Sequence, residues 1–311
     1  MHEQKSFPKT IPAGGYSGIT WMGGDLFAVV SDISEKDGFF VFQIDIDDRG
    51  DVVSASNLRF NGCSFEGRDN EGIAWFPSGG TLFISGEKDN QVREYTLEGQ
   101  RTGRSLRLPP VFSKATRAYG LEALTYNAAT HRFWTTTEST LDGDGPKADA
   151  VNGVRNLLRL QSFDDNLNPC GQYVYQMDEA QAEYQPEVYA FGVSSLAALD
   201  DGRLLVLERE FAVPESKLGA MVYCKIYLVQ PGQEKPVGAD EKVKGLKPVE
   251  KKLITEWTTA MGLLDITLAN YEGMCVGPKL SDGGQVILLI SDSQKQYGGV
   301  LKDWFRTLVL Y

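Results

Sequence analysis

The stretch Asp69-Asn70-Glu71-Gly72-Ile73-Ala74-Trp75, followed by an apolar strand that ends at Gly86-Glu87, returns twice with little change. It reappears as Gly120-Leu121-Glu122-Ala123-Leu124-Thr125-Tyr126 running on to Thr137-Glu138, and as Asn270-Tyr271-Glu272-Gly273-Met274-Cys275-Val276 running on to Ser291-Asp292. Two looser copies bring the repeats to five: Tyr16-Ser17-Gly18-Ile19-Thr20-Trp21 leading to Ser31-Asp32, and Val193-Ser194-Ser195-Leu196-Ala197 leading to Leu207-Glu208. The unit is a polar residue, a small one, a short apolar strand, a turn, a second apolar strand and an acid. Fixed self-similarity built from short strands and turns belongs to a β-propeller rather than a helical solenoid.

Read in order, each repeat predicts an inner strand and up to three more. Blade two is the cleanest, with strands at 72–75, 81–85, 91–96 and 105–108 and the turn Pro77-Ser78-Gly79-Gly80. In blade one the alternation of Phe40-Val41-Phe42-Gln43-Ile44 is imperfect, as expected of strands covered on both faces. Blade five, with strands at 274–276, 286–290 and 307–310, ends one strand short. The segment around Phe7 to Ile11 is the expected source of the missing strand, so the predicted fold is a five-bladed all-β propeller, one domain over residues 1–311, closed by its N-terminus. Equivalent positions lie 54, 51, 72 and 78 residues apart. The longer intervals leave room for a degenerate sixth blade, which Asn166 to Tyr189 would hold.

Propeller geometry turns this repeat into a site. The first strand of a blade lines the channel and the second runs antiparallel beside it, so the start of one and the end of the other share a face. Ser17, Glu71, Glu122, Ser194 and Glu272 form one expected ring, and Asp32, Glu87, Glu138, Glu208 and Asp292 a second. Crowded carboxylates oppose one another's ionisation unless cations compensate them. Hard oxygen ligands in such number suit Ca²⁺, with Mg²⁺ second. Glu71, Glu122, Glu272, Asp32, Glu87 and Asp292 are therefore candidate metal ligands. Alternatively the acids pair with Arg68, Lys88, Arg117 and Arg209, or cap backbone amides, and hold the blades in register. Arg68, Arg117 and Arg209, next to the acidic motifs, are also candidates to receive a phosphate or carboxylate through paired hydrogen bonds. Tyr119 and Tyr271, close before Glu122 and Glu272, are candidates to line a cleft.

Other features remove function classes. Lys plus Arg number 31 against 42 Asp plus Glu, a formal charge of −11, and no basic run offers a nucleic-acid surface. Glu241 to Lys252 mixes signs and reads as solvated, and the polar connection from Pro231 to Pro248 as mobile. No apolar stretch approaches the roughly 20 residues of a membrane span. The opening Met1-His2-Glu3-Gln4-Lys5 reads as a trimmed or mature start that leaves an export signal undecided. Cys63, Cys170, Cys224 and Cys275 are far apart without a CxxC, which disfavours zinc and leaves disulfides open, while Cys224 and Cys275 read as small buried hydrophobes.

The only two histidines are His2, in an expectedly disordered start, and His131, in a turn away from the acidic face. With no Gly-x-Ser-x-Gly elbow either, a histidine-based hydrolase is disfavoured. Leu141-Asp142-Gly143-Asp144-Gly145 lacks the spacing of an EF-hand and reads as a flexible turn. Hydrolysis here would use metal-bound water with a carboxylate base.

Over about Gly15 to Tyr311 the sequence resembles the phytase-like family described as having esterase-like activity, widespread in bacteria. The resemblance rests on Tyr16-Ser17-Gly18-Ile19, Asp69-Asn70-Glu71-Gly72-Ile73-Ala74, Gly120-Leu121-Glu122-Ala123-Leu124 and Tyr271-Glu272-Gly273-Met274. It implies a propeller, a hydrolase of phosphate or carboxylic esters, and a periplasmic or secreted location; it assigns no catalytic residue. The β-propeller phytases bind several calcium ions at an acidic mouth. The expectation is a monomeric, Ca²⁺-dependent hydrolase of small anionic esters. Glu71, Glu122 and Glu272 would hold metal, Glu138 or Glu208 would activate water, and Arg209 or Arg117 would position the anion. The other reading is a non-catalytic, calcium-stabilised propeller that binds a small ligand or a protein.

Overall fold

Each repeat folds into one four-stranded antiparallel sheet, and five such sheets make up the molecule. The computed structural model describes residues 1–116, 119–238, 241–263, 266–293, 295–296 and 301–311. Blade one is β2 (Tyr16–Gly23), β3 (Leu26–Ser31), β4 (Lys36–Ile46) and β5 (Val52–Glu66). Blade two is β6 (Asn70–Phe76), β7 (Thr81–Gly86), β8 (Gln91–Tyr95) and β9 (Arg101–Ser105). Blade three is β10 (Leu121–Asn127), β11 (Arg132–Thr137), β12 (Leu157–Phe163) and β13 (Pro169–Gln176). Blade four is β14 (Val188–Ala198), β15 (Leu204–Val213), β16 (Met221–Val229) and β17 (Lys251–Ala260). Blade five is β18 (Asn270–Lys279), β19 (Gln285–Asp292) and β20 (Trp304–Leu310), completed by β1 (Lys5–Ser6).

The first strands β2, β6, β10, β14 and β18 touch one another in chain order, and β18 returns to β2, which closes the ring. Both faces of a blade are therefore covered. The apolar core divides accordingly into clusters between neighbours, such as Phe83 and Phe133 between blades two and three, or Leu207 and Met274 between blades four and five. This double burial is why alternation in the strands is imperfect.

The closing strand lies earlier than expected. Lys5 pairs with Phe305 and Ser6 with Trp304, whereas Phe7 and Ile11 act as apolar plugs. Phe7 stacks on Phe305 with ring centroids 3.9 Å apart. Pro8 has no N–H to give a sheet ladder, so pairing stops before it and the side chains take over.

No sixth sheet forms among the described residues. The stretch 166–189 instead holds β13 and the first residues of β14. The outer strand of blade two also sits earlier than its predicted span, at Arg101–Ser105. Two connections expected to be loose are tied down. Asp144 in the Gly- and Asp-rich loop of blade three is buried and bound at 2.6 and 2.7 Å by Arg159. Val237 and Val243 of the connection after β16 are buried against Val174. His2 is likewise anchored, its Nδ1 2.6 Å from Asp51.

Candidate functional site

In every blade the register between the first two strands slips at the repeated motif: between Tyr16 and Gly18, Asn70 and Ile73, Leu121 and Ala123, Val193 and Ser195, and Tyr271 and Gly273. The residues passed over are Ser17, Glu71 with Gly72, Glu122, Ser194 and Glu272, the first ring expected from the sequence. A bulge leaves its extra residue out of the ladder and re-aims its side chain. Glu71, Glu122 and Glu272 thereby line a cavity of about 520 Å³. The two serines are used differently. Ser17 Oγ donates to Asn70 O at 2.6 Å and Ser194 Oγ to Tyr271 O at 3.2 Å, so both tie their blade to the next one.

Glycine after Ser17, Glu71 and Glu272 makes this crowding feasible. A Cβ at Gly18 would collide with Glu71 O, and one at Gly72 would lie 2.8 Å from Glu122 O.

The same register defines the second ring. Opposite Tyr16, Asn70, Leu121, Val193 and Tyr271 stand Ser31, Gly86, Thr137, Glu208 and Ser291. The residues immediately after these are Asp32, Glu87, Glu138, Arg209 and Asp292. The ring member in blade four is therefore Arg209, not Glu208 as the sequence pattern suggested. Glu208 faces the other side of β15, where it accepts from Tyr175 Oη at 2.6 Å and Lys251 Nζ at 2.7 Å. The cause is the alternation of a strand: a shift of one residue moves a side chain to the opposite face.

Three bulge acids and three strand-end acids thus line one cavity with a single arginine. Asp32, Glu71, Glu87, Glu122, Glu138, Glu272 and Arg209 line the cavity, and Asp292 is buried beside its blade partner Glu272, whose ionisation it opposes. Arg209 is 3% exposed, and its Nη2 donates to Glu138 at 3.1 Å and to Glu272 at 3.4 Å. Gly120 N donates to Glu87 at 2.7 Å, and Asn270 Nδ2 to Glu272 at 2.6 Å. Asp32 Oδ1 and Arg209 Nε are buried without a hydrogen-bond partner among the described residues.

Burial, reinforced by like charge, raises these acids. Glu71, Glu122 and Glu272 are pushed well above the usual carboxylate range by desolvation and then by one another and the strand-end acids. Burial and neighbouring acids lift Asp32 to about 6 and Glu87 to about 7. Glu138 is also raised by burial, against the opposing pull of Arg209. Burial works against the Arg209 guanidinium too, but Glu138, Glu272 and Glu122 outweigh it and hold the proton on.

The remaining expectations resolve individually. Arg117 lies outside the described residues. Arg68 is buried away from the cavity, bound to Asp89 at 2.6 and 2.9 Å, and Lys88 pairs with Asp69 at 2.8 Å near the surface. Tyr271 does not line a cleft: it is fully buried and its ring packs edge-on against Trp257. Tyr119 lies under Lys147, with Nζ 5.1 Å from its ring, and is not part of the cavity wall. His131 is far from the site, bound to Asp165 at 2.7 Å. All four cysteines are free, and Cys224 and Cys275 are buried as expected, their thiols pushed up by desolvation.

Blade four adds a feature that the repeat does not announce. Its first two strands continue past the bulge, pairing Gly192 with Arg209, Ala190 with Phe211 and Val188 with Val213. These pairs place Phe211, Val213, Ala190 and Val188 on the same face as Arg209, where they form an apolar wall of the cavity. The alternation Arg209-Glu210-Phe211-Ala212-Val213 carried that signal.

Among the described residues no group of three or more His, Cys, Asp or Glu stands in metal-holding geometry, so the acids surround a space rather than a preformed coordination shell. Nor is any helix there long and apolar enough to cross a membrane.

Comparison with solved structures shows the same fold at very low identity. An endo-arabinase from Bacteroides thetaiotaomicron matches with a TM-score of 0.51 at 9% identity, over 98% of this chain and 97% of the other. A β-xylosidase/α-arabinofuranosidase from a compost microbial metagenome matches with a TM-score of 0.50 at 8% identity, over 99% and 95%. No curated protein matches the sequence. The family comparison is more specific, because it spans the bulge repeats that build the acidic rings. Residues 11–294 match the phytase-like family described as "esterase-like activity of phytase", and the chain belongs to that family.

Proposed function

We propose that the protein hydrolyses small phosphate or carboxylic esters in the acidic cavity with the help of Ca²⁺, Mg²⁺ being the second choice. The observation that carries this reading is the charge imbalance of the site: the carboxylates of Asp32, Glu71, Glu87, Glu122, Glu138, Glu187 and Glu272 line the cavity against Arg209 and Lys217. The donor set suits a hard cation, since every acid offers oxygen and Asp32 Oδ1 has no hydrogen-bond partner among the described residues. Glu71, Glu122, Asp32 and Glu87 would hold the ion, with Glu272 and Asp292 beside them; the side chains must draw inward to do so. When bound, Ca²⁺ would neutralise part of the ring and polarise an ester oxygen.

The chain's own groups would do the rest. Arg209, whose Nε–H has no hydrogen-bond partner among the described residues, would receive an anionic head group. Glu138, next to Arg209, is the base that would take a proton from the attacking water. Glu208 has no part in this, because it faces the Tyr175 and Lys251 side of its strand. The family's description as esterase-like supports the ester chemistry.

The test combines metal content of the purified protein with hydrolysis of phenyl phosphate and phenyl acetate, before and after chelation and on return of Ca²⁺ or Mg²⁺. Turnover that follows the ion and is lost in Glu138→Gln supports the proposal. Bound ion without turnover replaces it with a calcium-stabilised binding propeller. No ion and no turnover overturns it.

A further inference from the structure

Four of the five blades end their first two strands at the bulge, but blade four does not. β2, β6, β10 and β18 start at Tyr16, Asn70, Leu121 and Asn270, at or next to the slip in register, and their partners end at Ser31, Gly86, Thr137 and Asp292. β14 starts at Val188, five residues before Val193, and β15 ends at Val213, five after Glu208. The added ladder alternates strictly. Glu208, Glu210 and Ala212 face away from the cavity, and Glu210 there accepts from Gln181 N at 2.6 Å, Ala182 N at 3.0 Å and Tyr189 Oη at 3.0 Å. Those bonds fix the hairpin from behind. The cavity side receives Arg209, Phe211 and Val213 from one strand and Ala190 and Val188 from the other. Leu268 and Leu301 extend the same lining from outside the blade.

The cavity therefore has two chemically different parts. One is the acidic ring with Arg209, and the other is an apolar wall that starts at the next residue pair after Arg209, with Glu187 and Lys217 also among the lining residues. Its volume of about 520 Å³ lies in the range of small-molecule sites, which bury most of their ligand against apolar side chains and orient it with a few polar groups. Gly192, paired with Arg209, joins the two parts: a Cβ there would collide with Glu138, so the absent side chain is what lets the acid and the arginine meet below the wall. A densely phosphorylated substrate matches this poorly. Arg209 and Lys217 are the cations that line the cavity among the described residues, and the apolar wall would face charge.

Resting on the hydrolase reading above, we infer that the site takes amphipathic esters, with a single anionic head at Arg209 and an apolar group, a short acyl chain or one aromatic ring, seated against Phe211, Val213, Ala190 and Val188. Specificity would then come from blade four, while the ring common to all blades supplies the polar machinery.

Binding of non-hydrolysable probes reads this without depending on turnover. Methylphosphonate, phenylphosphonate, acetate and benzoate are titrated by calorimetry into the intact protein with Ca²⁺ present. The phenyl member of a head-group pair is expected to bind about ten- to a hundredfold more tightly, as burial of one ring predicts. Phe211→Ala should cut that preference below about threefold and leave the methyl probe unchanged. Ala190→Leu, which fills the wall instead of emptying it, should also lower the phenyl preference. Melting curves confirm that each variant is folded. Equal affinities within each pair, no binding of any probe, or a phenyl preference that survives both substitutions overturns the inference. Turnover of phenyl acetate and phenyl phosphate, measured alongside, separates the two claims. Phenyl preference without turnover removes the hydrolase and keeps the apolar subsite, and turnover without preference does the reverse.

Discussion

Arg209 of blade four lies 3.1 Å from Glu138 of blade three and 3.4 Å from Glu272 of blade five, so one guanidinium joins three blades at the channel. It stands at the ring position that blades one, two, three and five give to an acid. Removing it leaves both glutamates buried without their counter-charge. Arg209→Met should destabilise the protein by about 3–5 kcal/mol at pH 7, as loss of one partner of a buried pair usually does. The loss should shrink near pH 5, where the acids can protonate. Denaturant unfolding at both pH values measures this; an equal loss at both would show that Arg209 matters for packing and not for charge.

Stability without a cation should fall as pH rises. Asp32 and Glu87 are raised to about 6 and about 7, so the folded state holds their protons more firmly than the unfolded chain. For such acids folding is favoured below the unfolded values near pH 4, and the advantage is lost as pH climbs through the folded values. The expected decline between pH 4 and 7 is roughly 2–4 kcal/mol for the pair, allowing for partial solvent screening. Millimolar Ca²⁺ should flatten it. A thermal midpoint that is constant or rising over this range in chelator would contradict the crowding.

A separate acid transition belongs to Asp178. Burial raises it, but hydrogen bonds from Lys225, Lys251 and Tyr227 outweigh that and hold it below the ordinary range. Its contribution is complete above the unfolded value near pH 4 and lost as pH falls below it. Asp178→Asn should cost about 1–3 kcal/mol at pH 7 and remove part of the slope between pH 4 and 2. Unfolding of the two proteins in parallel over that range decides the matter.

By register Glu208 corresponds to Thr137, one position before the ring residue Glu138, and so takes the opposite face of its blade. Glu138→Gln is expected to abolish ester turnover, whereas Glu208→Gln should leave kcat within about twofold and lower stability by about 1–3 kcal/mol through the lost charge on Lys251 and Tyr175. Kinetics with phenyl acetate or phenyl phosphate, together with denaturant midpoints, separate the two effects. The reverse pattern would return Glu208 to the site.

Gly192 and Gly277 are both strand glycines but differ in what surrounds them. A Cβ at Gly192 would overlap Glu138, while one at Gly277 would meet Val286 no closer than 3.5 Å, an ordinary contact. Gly192→Ala should cost about 1–3 kcal/mol by overpacking, and Gly277→Ala should stay within about 1 kcal/mol of the native protein. Differential scanning calorimetry of both variants tests the difference, and a tolerated Gly192→Ala would mean that the ring can spread.

The repeat made five blades and the first acidic ring legible, because a polar bulge residue followed by a small one, glycine in three copies, alanine and serine in the others, is a local signature that survives in each copy. It did not distinguish Ser17 and Ser194, which bond the next blade's backbone, from the glutamates that line the cavity. The closing strand was legible as a need, one strand being absent from blade five. Its place was not, since Lys5 and Ser6 owe their pairing to β20, almost 300 residues away.

The sequence by itself determined the architecture: five copies of an apolar strand pair, each opened by a bulge and closed by a polar residue, can bury their strands on both faces only by standing side by side in a ring. Tertiary structure decided which residue of each pair looks into that ring. In blade four the choice between Glu208 and Arg209 is a matter of one position, and one position reverses a strand's faces. The pairing of β14 with β15 sets it, and the same pairing carries Phe211 and Val213 into the cavity. Local pattern specifies that a strand exists; the face each side chain takes is fixed by the register of its partner and by the buried charges that the register brings together.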